Sequence, residues 1–367
     1  MDKERLFRFL NQKYFSKCEM ISKLPLGMNP DKLWEEVIAH RLEKAVQIPL
    51  CNVDGKPYWY ILTSDMISAS ENIVDELMEH TEESFPASVL SLEEAFFTGY
   101  MEGAQISIQD AVTFLHSGEE PHDIEELMIL NNRNAGTFAA ENLKHPIDDN
   151  FLHNLAYILT NGLDNGGGNY RTSDSIEIPS MNNESFILPK AENIPSLVND
   201  FSSYLSDAKV HPLIKSAVAQ AWILVSRPFP EGNERLARLL SCIILVRSGY
   251  SFFSNVSLSS IIARNSYDYF QAVANIIRTE NSGDLTYFLD YYIRLLSSAV
   301  DELRKRRKIK NEDLYKAEHE LAQVPLSPPS ENKSAYETEC AVTIAILKII
   351  TSDQQQKTIL CNQKARL

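Results

Sequence analysis

The stretch RPFPEGNERLAR, residues 227–238, lies between two helical patterns and decides how the chain folds around it. Upstream, Ile214, Ala217, Val218, Ala221, Trp222 and Val225 recur at i, i+3, i+4 spacing, which predicts an amphipathic helix with one face in the core. That helix must stop at Pro228, which has no N–H to continue it. A second stripe, Leu236, Leu239, Leu240, Ile243 and Ile244, requires a new helix from Asn233 or Glu234. In the loop, Gly232 permits a tight turn and Asn233 is expected to cap the new helix, leaving first-turn N–H groups aimed into the loop. Such a turn binds anions. Arg235 and Arg238, three residues apart, reach the same side of the helix and suit a polyphosphate. Glu231 belongs beside phosphates only if a divalent cation such as magnesium bridges them. A plain capped helix pair with surface arginines is the alternative, and the combination of glycine, asparagine, acid and two arginines weighs against it.

Working outward, the chain has 367 residues, enough for two or three domains. Hydrophobic residues at 44% and charged residues at 23% are those of a globular protein. Glycine, at 13 residues, is too scarce for a turn-rich sandwich, barrel or dinucleotide-binding sheet, so the fold class is mostly α. Lys+Arg 35 against Asp+Glu 50 leaves a net charge of −15, which opposes a general nucleic-acid grip and favours a nucleotide or protein partner. The five cysteines are odd in number and form no CxxC pair, so neither a disulfide framework nor a zinc knuckle is indicated. The histidines form no HExxH pair. MDKERLFRFLNQKYF lacks the apolar run of a secretory leader, no stretch reaches the length of a membrane span, and a cytoplasmic location is expected.

Three segments are expected: an N-terminal subdomain at 1–85, a helical core at 86–300 and a helical C-terminal extension at 301–367. In the first, residues 31–45 read as a helix and CNVDGKPYWYIL as a hairpin turning at Asp54-Gly55. The core is interrupted by NGLDNGGGNYRTSDSIEIPSMNNESFILP, where 175–178 and 185–188 can pair as a short projecting hairpin able to receive an extended peptide. The run RKRRKIK at 304–310 reads as the solvated end of a helix, PLSPPSENKS as a linker, and 337–350 as a last helix.

The loop RPFPEGNERLAR resembles the signature of Fic proteins, H-P-F-x-[D/E]-G-N-G-R-x-x-R. The similarity extends through NNRNAGTFAAENL, GNYR, HPLIKSAVAQAW, RSGY, IIARNSYDYFQAV and DLTYFLDYYI, over roughly residues 20–320. The resemblance implies an all-helical core and transfer of AMP from ATP to a Ser, Thr or Tyr hydroxyl of a target protein whose identity the sequence does not give. It implies that Glu231 holds Mg²⁺ and Asn233 meets the α-phosphate. Gly232, Asn233, Glu234 and Arg235 would line the triphosphate, Arg238 would meet the γ-phosphate, and Phe229 would anchor the loop. The hairpin within 175–188 would be a flap that clamps the target. FTGYMEGA is similar to the family's inhibitory pattern [S/T]-x-x-x-E-[G/N], through Thr98, Glu102 and Gly103, with Glu102 pairing Arg238 and displacing the γ-phosphate.

Two positions depart from that pattern. Arg227 stands where the family has the histidine that takes the proton from the attacking hydroxyl, and a guanidinium cannot act as that base near neutral pH. Glu234 replaces the second glycine, and its carboxylate would repel a triphosphate; the two changes, opposite in charge, are expected to pair with each other. Three readings stay open: a slow AMP transferase restrained by Glu102, a nucleotide-binding pseudoenzyme or protein-interaction module, and a hydrolase that removes AMP. Self-association is also open.

Overall fold

The computed structural model describes residues 14–24, 27–79, 90–163, 168–174 and 187–323, with side chains described except at 77–79 and 309–323. The chain divides into two compact units, Met1–Glu302 and Leu303–Leu367.

The first unit begins with α1 (Lys17–Ile21) and α2 (Pro30–Leu42), followed by an antiparallel hairpin of β1 (Val46–Cys51) and β2 (Pro57–Tyr60). Gly55, at φ 73°, makes the turn expected at Asp54-Gly55. This is the only sheet among the described residues. Met20, Leu33, Trp34, Val37, Ile38 and Trp59 form a small core of its own. The hairpin is tied to the turn at 281–285, where the Trp59 ring nitrogen donates to the Ser282 carbonyl at 2.8 Å and the Leu285 N–H to the Trp59 carbonyl at 2.8 Å. Beneath it Arg41, almost fully buried, stacks on the Tyr14 ring and lies 3.9 Å from the Asp284 carboxylate.

Helices follow: α3 (Ser64–Glu79), α4 (Leu92–Tyr100), α5 (Ile108–Ser117), α6 (Ile124–Glu141), α7 (Asp149–Thr160) and α8 (Ile194–Ser206). The centre is an adjacent pair, α9 (Pro212–Ser226) and α10 (Asn233–Arg247), joined by the loop at 227–232. Residues 216–226 of α9 and 235–246 of α10 are buried without a break, so both are enclosed on all sides, where the hydrophobic spacing alone predicts one apolar face. Polar side chains inside α9 remain satisfied locally: the Ser226 hydroxyl donates to the Trp222 carbonyl at 2.6 Å. Then come α11 (Leu258–Arg264), α12 (Ser266–Ile277) and α13 (Thr286–Gln323). The mostly helical class expected from composition is the class found.

Two sequence expectations need correction. RKRRKIK is not at a helix end, because α13 continues through it to Gln323. The loop asparagine does not cap α10, because its side chain turns back to the Phe229 backbone. The flap strands, apart from 187–188, lie outside the described residues, as do the linker and last helix.

Candidate functional site: two carboxylates on a buried arginine cluster

Helix α9 ends because Arg227 takes a left-handed conformation, φ 43° and ψ 65°, closed by its N–H on the Ile223 carbonyl, and Pro228 follows. The loop is then fixed at every turn. The Arg171 side chain donates to the Arg227 carbonyl at 2.8 Å, and its backbone N–H to the Pro228 carbonyl at 3.0 Å. Phe229 is buried, with its ring 5.1 Å from Tyr170 and 5.8 Å from His153. Asn233, fully buried, accepts from the Phe229 N–H at 3.1 Å and donates to the Phe229 carbonyl at 2.8 Å. Its side chain therefore braces the loop, and the residue that caps the helix is Gly232, at φ 73°. Glycine is required there twice over, since a Cβ would also meet the Thr160 methyl at 2.9 Å.

The arginines face inward. Arg235 and Arg238 are 3% and 4% exposed, not on the surface. Both converge on Glu102: Arg235 Nε lies 2.8 Å from one carboxylate oxygen and Arg238 donates to the other at 3.1 Å. Arg235 also donates to the Leu159 carbonyl at 2.5 Å, and Arg238 to the Thr98 carbonyl at 3.1 Å and hydroxyl at 3.3 Å. Thr98 sits in the last turn of α4 and Glu102 in the turn beyond it, where Gly103 at φ 101° ends the segment. Burial pushes the Glu102 carboxyl up, and the two guanidinium groups oppose that rise.

A second carboxylate enters from the loop side. Arg227 donates to Glu234 at 2.5 Å, so the pairing expected from their opposite charges is present. Burial alone would raise the Glu234 carboxyl, but Arg227 and Glu234's own backbone N–H outweigh it and hold it below the usual carboxylate range. Glu231, by contrast, is exposed and has no ion pair among the described residues. No group of three or more His, Cys, Asp or Glu capable of holding a metal occurs among those residues.

What the cluster can do chemically follows from this arrangement. Two guanidinium groups meet one carboxylate, at the mouth of a left-handed turn that opens a helix. Phosphate oxygens suit the same donors.

Residues 146–245 match the Fic/DOC family. The matched stretch runs from the start of α7 into the last turn of α10 and contains the whole loop. The fold is shared with solved Fic proteins. A Fic family protein from Desulfovibrio desulfuricans is 18% identical, with 67% of this chain and 76% of that one covered at a TM-score of 0.55. Fic-1 from C. elegans is 18% identical over 83% and 84%, TM-score 0.57. A Fic domain containing signaling protein from Bacteroides thetaiotaomicron is 16% identical over 66% and 96%, TM-score 0.50. No helix among the described residues is long and apolar enough to cross a membrane.

Of the residues singled out in the sequence, Thr98, Glu102, Arg235 and Arg238 come together, and Arg227 and Glu234 form the neighbouring pair. Asn233 faces Phe229 instead of the opening. Sequence reasoning missed Glu94, Ser257 and Ser259, which extend the cluster behind Thr98. One signal was available: Glu94, Thr98 and Glu102 repeat every fourth position along one helical face.

Proposed function

We propose that this Fic domain binds ATP with Mg²⁺ at the α9–α10 loop, that Glu102 keeps the site closed, and that any transfer of AMP to a protein hydroxyl is slow because Arg227 replaces the base. The observation that carries the reading is the Glu102 carboxylate bridging Arg235 and Arg238. It is an internal anion seated where a phosphate would go. Withdrawing it leaves two buried guanidinium groups without a counter-ion, a state that costs about 3–5 kcal/mol unless another anion arrives.

Glu231, exposed and unpaired on the loop, fits a magnesium ion that takes one protein carboxylate and otherwise phosphate and water oxygens. Magnesium would supply charge neutralisation on the phosphates. Gly232 makes the left-handed turn that packs on Thr160, Arg235 and Arg238 hold the phosphate tail, and Asn233 keeps the loop in shape through Phe229. Glu234 lines the entrance with its charge neutralised by Arg227, which removes most of the repulsion a bare carboxylate would exert.

In the transfer, the target hydroxyl oxygen bonds to the α-phosphorus, the bond from that phosphorus to the β-bridging oxygen breaks, pyrophosphate leaves, and the hydroxyl proton must go to a base. Arg227 cannot take it, being protonated and held on Glu234. Loss of general-base help costs on the order of 10²- to 10⁴-fold, so phosphate positioning alone sustains a residual rate. The Arg227–Glu234 pair also favours a second reading, a nucleotide-binding module that recognises a partner protein without modifying it.

Labelled ATP separates the two. The parent chain, Glu102→Gly, and Glu102→Gly with Arg227→His are incubated with Mg²⁺ and a cell lysate. Label transfer that rises from parent to single to double variant supports a restrained transferase. ATP binding without transfer in any of them supports the binding module, and an absence of ATP binding in all three removes both.

A further inference from the structure

Behind Thr98 lies a buried polar network that the site's own chemistry does not use. Glu94, on α4 one turn before Thr98, is 2% exposed. Its carboxylate accepts four hydrogen bonds: from the Ser257 hydroxyl at 2.7 Å, the Ser259 N–H at 2.9 Å, the Ser259 hydroxyl at 2.6 Å and the Thr98 hydroxyl at 3.2 Å. The Thr98 and Ser259 hydroxyls are themselves 2.9 Å apart, and Thr98 accepts from Arg238 Nε at 3.3 Å. Ser257 is also the cap of α11, receiving the Ser260 N–H at 2.9 Å. The one Thr98 proton is shared between two acceptors in reach, Glu94 and the Ser259 hydroxyl, so the Arg238 guanidinium, the two hydroxyls and the carboxylate form one connected network. The carboxylate at the far end and the first turn of α11 face each other.

We propose that Glu94 is the positioning residue of the closing segment: it fastens α4 to the start of α11 and orients the Thr98 hydroxyl, and so presents Glu102 to Arg235 and Arg238. The proposal rests on the reading of Glu102 as the closing group. Two consequences distinguish Glu94 from an ordinary buried acid. Donors sit on both of its oxygens, so a change of one oxygen to NH₂ has nowhere neutral to go. In Glu94→Gln the amide must face either the Ser259 N–H, donor against donor, or the two hydroxyls, where Thr98 can still donate to Ser259 but the Ser259 hydroxyl proton loses its acceptor. Either way a buried donor is stranded, and the loss of one such partner loosens the segment on the order of 10-fold. Glu102 lies one turn beyond Thr98, so that loosening acts chiefly on Glu102 and to a lesser degree on the Thr98 oxygens that accept from Arg238.

The test is a cycle of four chains: parent, Glu94→Gln, Glu102→Gly and the double variant, each titrated calorimetrically with ATP and Mg²⁺. The nucleotide-free chains are also followed by amide hydrogen exchange over 97–104. Glu94→Gln is expected to tighten ATP binding about 3- to 10-fold when Glu102 is present and to change the Glu102→Gly affinity by no more than ~2-fold, while exchange over 97–104 rises about 10-fold. An equal effect in both backgrounds marks a general structural role and overturns the proposal, as does unchanged affinity and exchange in the single variant. Glu102→Gly no tighter than parent defeats the gating reading by itself; the exchange data then still decide whether Glu94 fastens the segment. Ser259→Ala, which keeps the carboxylate and removes one hydroxyl, is expected to act in the same direction but more weakly, and serves if Glu94→Gln does not fold.

Discussion

At the scale of single residues, the site is a balance of charges in which Arg227 is paired with Glu234 while Arg235 and Arg238 share Glu102. Arg227 and Glu234 act as a pair, since removing either alone would leave the other's largely buried charge without its partner beside the loop. In the Glu102→Gly background, Arg227→His together with Glu234→Gly is therefore expected to raise labelled-AMP transfer by at least ~10-fold more than the product of the two single effects. Purely multiplicative effects would mean that the pair is incidental. Gly232→Ala meets two obstacles, a left-handed backbone and the Thr160 methyl, and is expected to lose about 1–3 kcal/mol of unfolding free energy in urea titrations. Unchanged stability would show that the turn relaxes freely.

At the scale of elements, α4 with its trailing turn is an arm laid across the arginines, and the hairpin is a brace against the turn at 281–285. The brace contains a pH-dependent joint. Burial pushes the Asp284 carboxyl up to about 6, opposed by hydrogen bonds from Thr286 and Tyr14 and by Arg41. For a carboxyl raised in the folded state, the stabilising contribution is complete below the ordinary value near 4 and is lost as pH climbs through 6. Stability measured between pH 4 and 6 should carry a falling component of up to ~1.4 kcal/mol per pH unit, and Asp284→Asn should remove it. An identical slope in both chains would place the titration elsewhere. Which elements exist was readable from spacing and turn residues: the α9 stop at Pro228, the α10 start near Asn233 and the Asp54-Gly55 hairpin all follow from local chemistry. Their surroundings were not, because periodicity records one apolar face and cannot say that α9 and α10 are covered on the other side as well. Asn233 shows the same limit, for its side chain chose a loop backbone four residues back over the helix N–H groups that a cap would serve.

At the scale of the whole molecule, the Glu102–Arg238 pair joins positions 136 residues apart, and a motif likeness at each end was needed to bring them together in advance. Glu94 carried no such likeness, and only the packing of α4 on α11 gives it a role. The ion pairs of Glu102 with Arg235 and Arg238 also bear on stability: Glu102→Gly is expected to unfold about 3 kcal/mol more readily in the absence of ligand, and to regain much of that when pyrophosphate or ATP is added. The most direct measurement is the affinity for ATP and Mg²⁺ of the parent chain beside Glu102→Gly, by calorimetry, with AMP as the control that lacks the β- and γ-phosphates. ATP binding at least ~10-fold tighter in the variant, with AMP little changed, is the result expected if Glu102 occupies the phosphate seat. Equal ATP affinity in the two chains, or none in either, would contradict it.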